Sequence, residues 1–127
     1  MLISYNQSYE KISMGLLSYI PDLKNISHLQ EELDSYIENG DKKLYLWRDE
    51  PTENIVAIIG IGLDDSILLV RHLSVSPSFR NEGIIYKMLD KLQSLYPELM
   101  INGTLDTAPF LSKWVQKNIE GYTGTDS

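Results

Sequence analysis

The 127-residue chain reads as an α/β (α+β) sandwich on a mixed, mostly antiparallel sheet flanked by helices. Three observations predict this. Two stretches with the three- and four-residue apolar spacing of helices come first. Three segments rich in β-formers follow, joined by short turns. A helix–strand–helix alternation then closes the chain, giving the order α-α-β-β-β-α-β-α.

Residues 7–20 carry Tyr9, Ile12, Leu16 and Ile20 at helical steps, and Pro21 ends the element. A second helix is expected from Ser27 to Asn39, with Ser27 as N-cap and Leu29, Leu33, Tyr36 and Ile37 as its stripe. Asn39-Gly40 supplies its stop. Leu44-Tyr45-Leu46-Trp47 is a short aromatic strand closed by a turn at Asp49-Glu50-Pro51. Residues 54–61 and 66–75 are apolar β-former runs separated by Gly62-Leu63-Asp64-Asp65, so the three segments form an antiparallel meander. Their imperfect alternation fits a sheet covered on both faces.

Pro77 breaks the third strand, and Asn81 or Glu82 opens a helix through Leu95 with Ile84, Ile85, Met88, Leu89, Leu92 and Leu95 on one face. Tyr96-Pro97 ends it. Residues 99–101 read as a strand and 108–116 as a last helix carrying Phe110, Leu111, Trp114 and Val115. The polar tail from Gly121 to Ser127 is expected to fray.

At 14.5 kDa the chain fits one domain, residues 1–127, able to bury about two-thirds of its unfolded surface. No apolar run approaches about 18 residues, so no membrane span is expected. Residues 1–6 lack the basic and apolar regions of a signal peptide, and a cytoplasmic location is the expectation. The absence of cysteine excludes a disulfide scaffold, a thiol nucleophile and a thiolate metal site, and two histidines argue against structural zinc. A net charge of −7 speaks against a nucleic-acid partner. The segment from Arg71 to Lys91 is nonetheless +2, with Arg71, Arg80, Lys87 and Lys91 against Glu82 and Asp90, which leaves −9 elsewhere. A positive island in an acidic chain points to a small anionic ligand.

The most informative stretch is residues 70–90, a strand, a break at Pro77, a glycine-containing loop and a helix start. Helix N-termini present unpaired N–H groups and a partial positive charge that can cradle a phosphate. Gly83 admits close backbone approach and Arg80 adds a full charge. The plain alternative is a strand–turn–helix connection whose glycine only eases a turn.

Val75-x-Pro77 followed by Arg80-Asn81-Glu82-Gly83-Ile84-Ile85 resembles the acetyl-CoA signature of the GNAT acetyltransferases, Gln/Arg-x-x-Gly-x-Gly/Ala. Residues 71–77, the start Met1-Leu2-Ile3, and Met14-Gly15-Leu16-Leu17-Ser18 are similar to the RibT-like members encoded beside riboflavin-synthesis genes. The resemblance covers most of the chain and implies a GNAT fold with a shortened C-terminus. It implies acetyl-CoA or CoA as cofactor, with the pantetheine arm along the backbone of Leu73, Ser74 and Val75. The pyrophosphate would sit on the loop of Arg80, Asn81, Glu82, Gly83, Ile84 and Ile85, with Tyr86 beginning the helix. Strands beginning near Leu73 and Leu99 would splay to admit it. An amine would then attack the thioester carbonyl while a backbone N–H near Leu73 polarises its oxygen, and CoA would leave as thiolate.

The pattern departs from the family at three places. Ile85 stands where the signature has Gly or Ala. Leu69 stands where many members carry a Glu that drains the amine's proton. Leu111 or Ser112 stands where the family has a thiolate-protonating Tyr. His72 and Tyr122 are the remaining candidates for catalysis, and Asp64, Asp65 or His72 could act through water. Gly60-Ile61-Gly62 lacks the third glycine and following helix of a dinucleotide fingerprint. Asp64-Asp65 reads as a solvated turn, Phe110 and Trp114 as packing residues, and the sequons at Asn6, Asn25 and Asn102 carry no meaning without secretion.

The expectation is an N-acetyltransferase transferring acetyl directly to a small-molecule or protein amine, linked through the resemblance to riboflavin synthesis. The alternative is a catalytically impaired CoA-binding regulatory module. No metal, nucleic acid or membrane partner is expected, and the chain is a monomer or homodimer.

Overall fold

The computed structural model describes residues 1–80 and 83–126, with backbone alone for 120–126. In chain order the elements are β1 (Leu2–Ser4), α1 (Glu10–Leu17), α2 (Ile26–Glu38), β2 (Lys42–Arg48), β3 (Ile55–Leu63) and β4 (Ile67–Val75). They continue with α3 (Ile84–Leu95), β5 (Met100–Gly103) and α4 (Ala108–Asp126). The sheet order is β1-β2-β3-β4-β5, antiparallel except for the parallel pair β4–β5. The expected meander is present, extended at one edge by a strand that the sequence reading did not include.

Three layers result. Leu16 and Leu17 of α1 and Leu29, Leu33 and Tyr36 of α2 pack on Leu44, Leu46 and Ile58 from one face of the sheet. On the other face Ile84, Met88, Leu89 and Leu92 of α3, with Leu111 and Trp114 of α4, cover Ala57, Ile59, Ile61, Leu68 and Val70. Burying each large aliphatic side chain contributes roughly 1.5–3 kcal/mol. Trp114 also donates its Nε1–H to Asp90 Oδ1 at 2.8 Å, tying α4 to α3.

A bulge in β4 explains the broken alternation. Gly60 pairs with His72 but Ile61 pairs with Val70, so Arg71 is the extra residue. Before the bulge Leu68 and Val70 face α3 and α4; after it Leu73 and Val75 do. His72 and Ser74 are thereby turned toward α1 and α2, where Ser74 Oγ donates to Leu16 O at 2.7 Å.

Several boundaries differ from the sequence reading. The helix expected over 7–20 is a single 3₁₀ turn followed by α1, and Ile12 is exposed, because Ser13, Leu16 and Leu17 form the buried face. Asn25, not Ser27, caps α2: its Oδ1 accepts from Ser27 N at 2.8 Å and His28 N at 3.4 Å. Ile37 and Leu95 lie on solvent despite their places in the stripes. Gly83 takes the N-cap position of α3, and the alternatives expected there, Asn81 and Glu82, lie outside the described residues. The tail expected to fray continues as α4 through Asp126, consistent with the low cost of extending an existing helix.

Candidate acyl-donor cleft

The site follows from where β5 stops. Its pairing with β4 runs from Ile67 opposite Met100 to Val70 opposite Gly103, then ends. Thr107 Oγ1 donates to the Val70 carbonyl at 2.7 Å and closes the pairing, and the chain turns into α4. A side chain at Gly103 would run into Leu111 and Thr107, so glycine is required for this departure. From Arg71 onward the outer edge of β4 has no strand beside it among the described residues. Ser76 N donates to Val56 O at 2.8 Å, so Ser76, Ser74 and His72 direct their backbone groups at β3. Leu73 and Val75, one residue out of step, direct theirs outward.

That edge opens into a cleft of about 840 Å³. Leu73, Ser74, Val75, Arg80, Gly83, Ile84, Ile85 and Tyr86, eight of the residues expected to hold the cofactor, line it. Asn81 and Glu82 lie outside the described residues. Gly83 has φ +73°, the left-handed region, and a Cβ there would meet nothing within 4 Å. Conformation, rather than crowding, therefore demands glycine, while the space before the α3 N-terminus is open. Ile85, the branched residue that stands where the signature has Gly or Ala, lines the cleft and also packs on the core.

Arg80 is committed in part. Its Nε donates to the Val75 carbonyl at 3.0 Å and its guanidinium lies 5.4 Å from the Tyr19 ring centroid. One outward acceptor on the β4 edge is therefore already used, leaving the Leu73 N–H and C=O and the Val75 N–H. Lys113, Asp22 and Asp106 add charges of both signs around the opening, and Phe110 stands at its wall, not in the core.

His72 lines the cleft from the α1–α2 side of the sheet. Its Nδ1 is 2.5 Å from Tyr36 Oη, the rings meeting edge to face at 74°. Burial holds the His72 pKa below its ordinary value, and burial pushes that of Tyr36 up. Arg71 lies 5.4 Å from the Tyr36 ring centroid and 3.4 Å from Glu32 Oε2. The other candidates do not gather here. Asp64 caps the hairpin at the far end of β4, accepting from Ser66 N at 2.9 Å and Ile67 N at 2.7 Å. About six residues of strand, roughly 20 Å, separate that end from Leu73, so neither Asp64 nor Asp65 is within direct reach of the Leu73 N–H. The backbone of Tyr122 lies in α4; its side chain is outside the described residues. Leu111 is buried in the core and Ser112 is exposed.

No protein-family model matches the chain. A relative in Bacillus methanolicus, described as an uncharacterized N-acetyltransferase in the lysA 3′ region, is 37% identical over 114 residues, 89% of this chain and 93% of the relative. The chain belongs to the GNAT acetyltransferases. Solved structures agree with the fold. An aminoglycoside 6′-N-acetyltransferase from Acinetobacter baumannii superposes with a TM-score of 0.67 at 14% identity, covering 93% of this chain and 87% of that one. A possible acetyltransferase from Clostridium difficile gives 0.72 at 10% identity, covering 94% and 88%. An aminoglycoside N-acetyltransferase solved with CoA gives 0.69 at 11% identity, covering 93% and 84%. The bulged β4, its open edge and the left-handed glycine before α3 are thus features of a GNAT chain.

The sequence reading missed Tyr36, Arg71 and Thr107 as site residues. Tyr36 read as one more apolar residue in a helical stripe, and nothing local signals a partner 36 positions away. Among the described residues no cluster of three or more His, Asp or Glu could hold a metal, and no helix is long and apolar enough to cross a membrane.

Proposed function

We propose that residues 1–127 act as one acetyl-CoA-dependent N-acetyltransferase domain that passes acetyl directly to an amine. The observation that carries this is the open β4 edge running into the N-terminus of α3 across Gly83. The outward Leu73 and Val75 groups would pair with the amides of a pantetheine arm as an added strand does. The N–H groups opening α3, with Arg80 beside them, would hold the pyrophosphate. Bound there, acetyl-CoA supplies an activated acyl group. The Leu73 N–H would then face the region where a carbonyl oxygen gains charge. Solved enzymes that share the fold are aminoglycoside 6′-N-acetyltransferases, and the acidic balance of this chain suits a cationic amine by steering.

The finer RibT-like reading rests on resemblance at residues 1–3, 14–18 and 71–77. Amine intermediates of flavin synthesis therefore belong in the acceptor panel. A second reading, a CoA-binding regulatory module, is favoured by one fact: Leu69, Leu111 and Ser112 offer neither the base nor the acid expected of the family. Free-thiol release from acetyl-CoA across an amine panel tests both. Amine-dependent release supports the enzyme; binding of CoA with no release from any amine supports the module. Release only from flavin-pathway amines would establish the finer reading, and failure of those amines alone would remove it.

A further inference from the structure

The side chains packed on the inner wall of the cleft fix where protons sit. The Tyr36 hydroxyl lies 2.5 Å from His72 Nδ1, and the Arg71 guanidinium donates toward its oxygen. Its charged neighbour Arg71 is a donor only and cannot accept the phenol proton. Glu32, the nearest carboxylate on α2, is engaged by Arg71. The Tyr36 ring end occupies the space that glycine leaves at Gly60, where any side chain would collide with it. The phenol therefore donates to Nδ1, and a neutral imidazole whose Nδ1 accepts must carry its proton on Nε2. With Nδ1 turned to Tyr36, Nε2 is the ring nitrogen left for a ligand in the cleft.

We infer that Tyr36 locks His72 as the Nε2–H tautomer, so that His72 serves the cleft as a neutral hydrogen-bond donor to an oxygen of the acceptor rather than as the base that takes the amine's proton. Tyr36 is then a positioning residue acting through His72. The role toward an acceptor rests on the acetyltransferase reading; the tautomer does not. The charged groups facing His72 are Glu32 from α2, Lys42 from β2, Arg71 on its own strand and Asp106 from the β5–α4 connection. Two carboxylates oppose two cations, so burial is left to decide the ring's charge, and it favours the neutral form. The acceptor class that fits is an amine carrying a hydroxyl or carbonyl oxygen within reach of the amine.

Nitrogen-resolved NMR of the His72 ring in the full chain, told from His28 by a His28→Gln variant, tests the lock above pH 7. The wild type is expected to show Nε2 protonated and Nδ1 bare by about tenfold, and Tyr36→Phe to bring the two tautomers within a few-fold of each other. A wild-type ring with its proton on Nδ1, or an unchanged tautomer in a folded Tyr36→Phe, overturns the inference. Should Tyr36→Phe not fold, the wild-type spectrum decides alone. Titration with 2-aminoethanol against ethylamine tests the donor role: the Nε2 proton is expected to shift with the hydroxylated amine only. No shift, or an equal shift with both, overturns that role. Loss of CoA binding with the Nε2–H spectrum intact would remove the acetyltransferase reading and leave the lock standing.

Discussion

Substitution of Gly83 separates backbone conformation from ligand access at one position. Its φ of +73° and ψ of 16° place it in the left-handed region, where an L side chain costs roughly 1–2 kcal/mol. With an unfolding entropy of about 2.1 cal/mol/K per residue, a chain of this length loses about 4–7 °C of Tm for that cost. Gly83→Ala and Gly83→Trp should both show this loss, since an added Cβ meets nothing within 4 Å. Gly83→Asn should lose less, because Asn tolerates this region. Affinity for CoA should divide the variants differently. Alanine leaves most of the open space before α3, whereas tryptophan fills it and should weaken binding at least about tenfold, worth about 1.4 kcal/mol. Thermal unfolding without ligand reads the first effect, and titration of the same proteins with CoA reads the second. Gly83→Ala with an unchanged Tm would refute the backbone argument. Gly83→Trp with unchanged CoA affinity would refute the phosphate-loop assignment.

Other consequences follow from single contacts. Gly60→Ala should drive the Tyr36 ring off β3, at a cost of about 1–3 kcal/mol by denaturant unfolding, and should break the Tyr36–His72 bond in the same stroke. Asn25→Ala should remove the cap of α2 and about 1 kcal/mol, whereas Ser27→Ala, at the position first expected to cap, should be nearly silent. His72 has a folded pKa below its unfolded value of 6.5, so the unfolded chain binds its proton first. The stability it contributes is present above about pH 6.5 and is lost as pH falls through the folded pKa. His72→Gln should flatten that stretch of the stability profile; an unchanged slope would contradict the assignment.

The elements were legible because periodicity changes along the chain. The meander 44–75 and the helix before Leu95 follow directly from β-former runs and a four-residue apolar step. Strand β1 was not legible, since three residues without alternation carry no signal until β2 pairs with them. The bulge at Arg71 was hidden for the same reason that makes it useful. One extra residue flips every later side chain, so the pattern reads only as a blemish. In the cleft, the loop at Gly83 announced itself through glycine beside a basic residue at a helix start. Contacts elsewhere in the cleft did not: Tyr36 reached His72, and Arg80 the Val75 carbonyl, only through tertiary packing. Ile85 illustrates the limit of a motif, since the side chain that departs from the signature packs on the core as well as lining the cleft.

The most direct test of the account is thermal unfolding of the wild-type chain with acetyl-CoA, CoA, ATP and buffer side by side. Ligand at about 100 times its dissociation constant adds about 2.7 kcal/mol, which is several degrees for a domain of this size. A rise with acetyl-CoA and CoA but not with ATP is the predicted result, because the partner proposed for the β4 edge beyond Val70 is a pantetheine arm, which ATP lacks. No rise with either CoA species, or an equal rise with ATP, would contradict an acyl-donor cleft between β4 and α3.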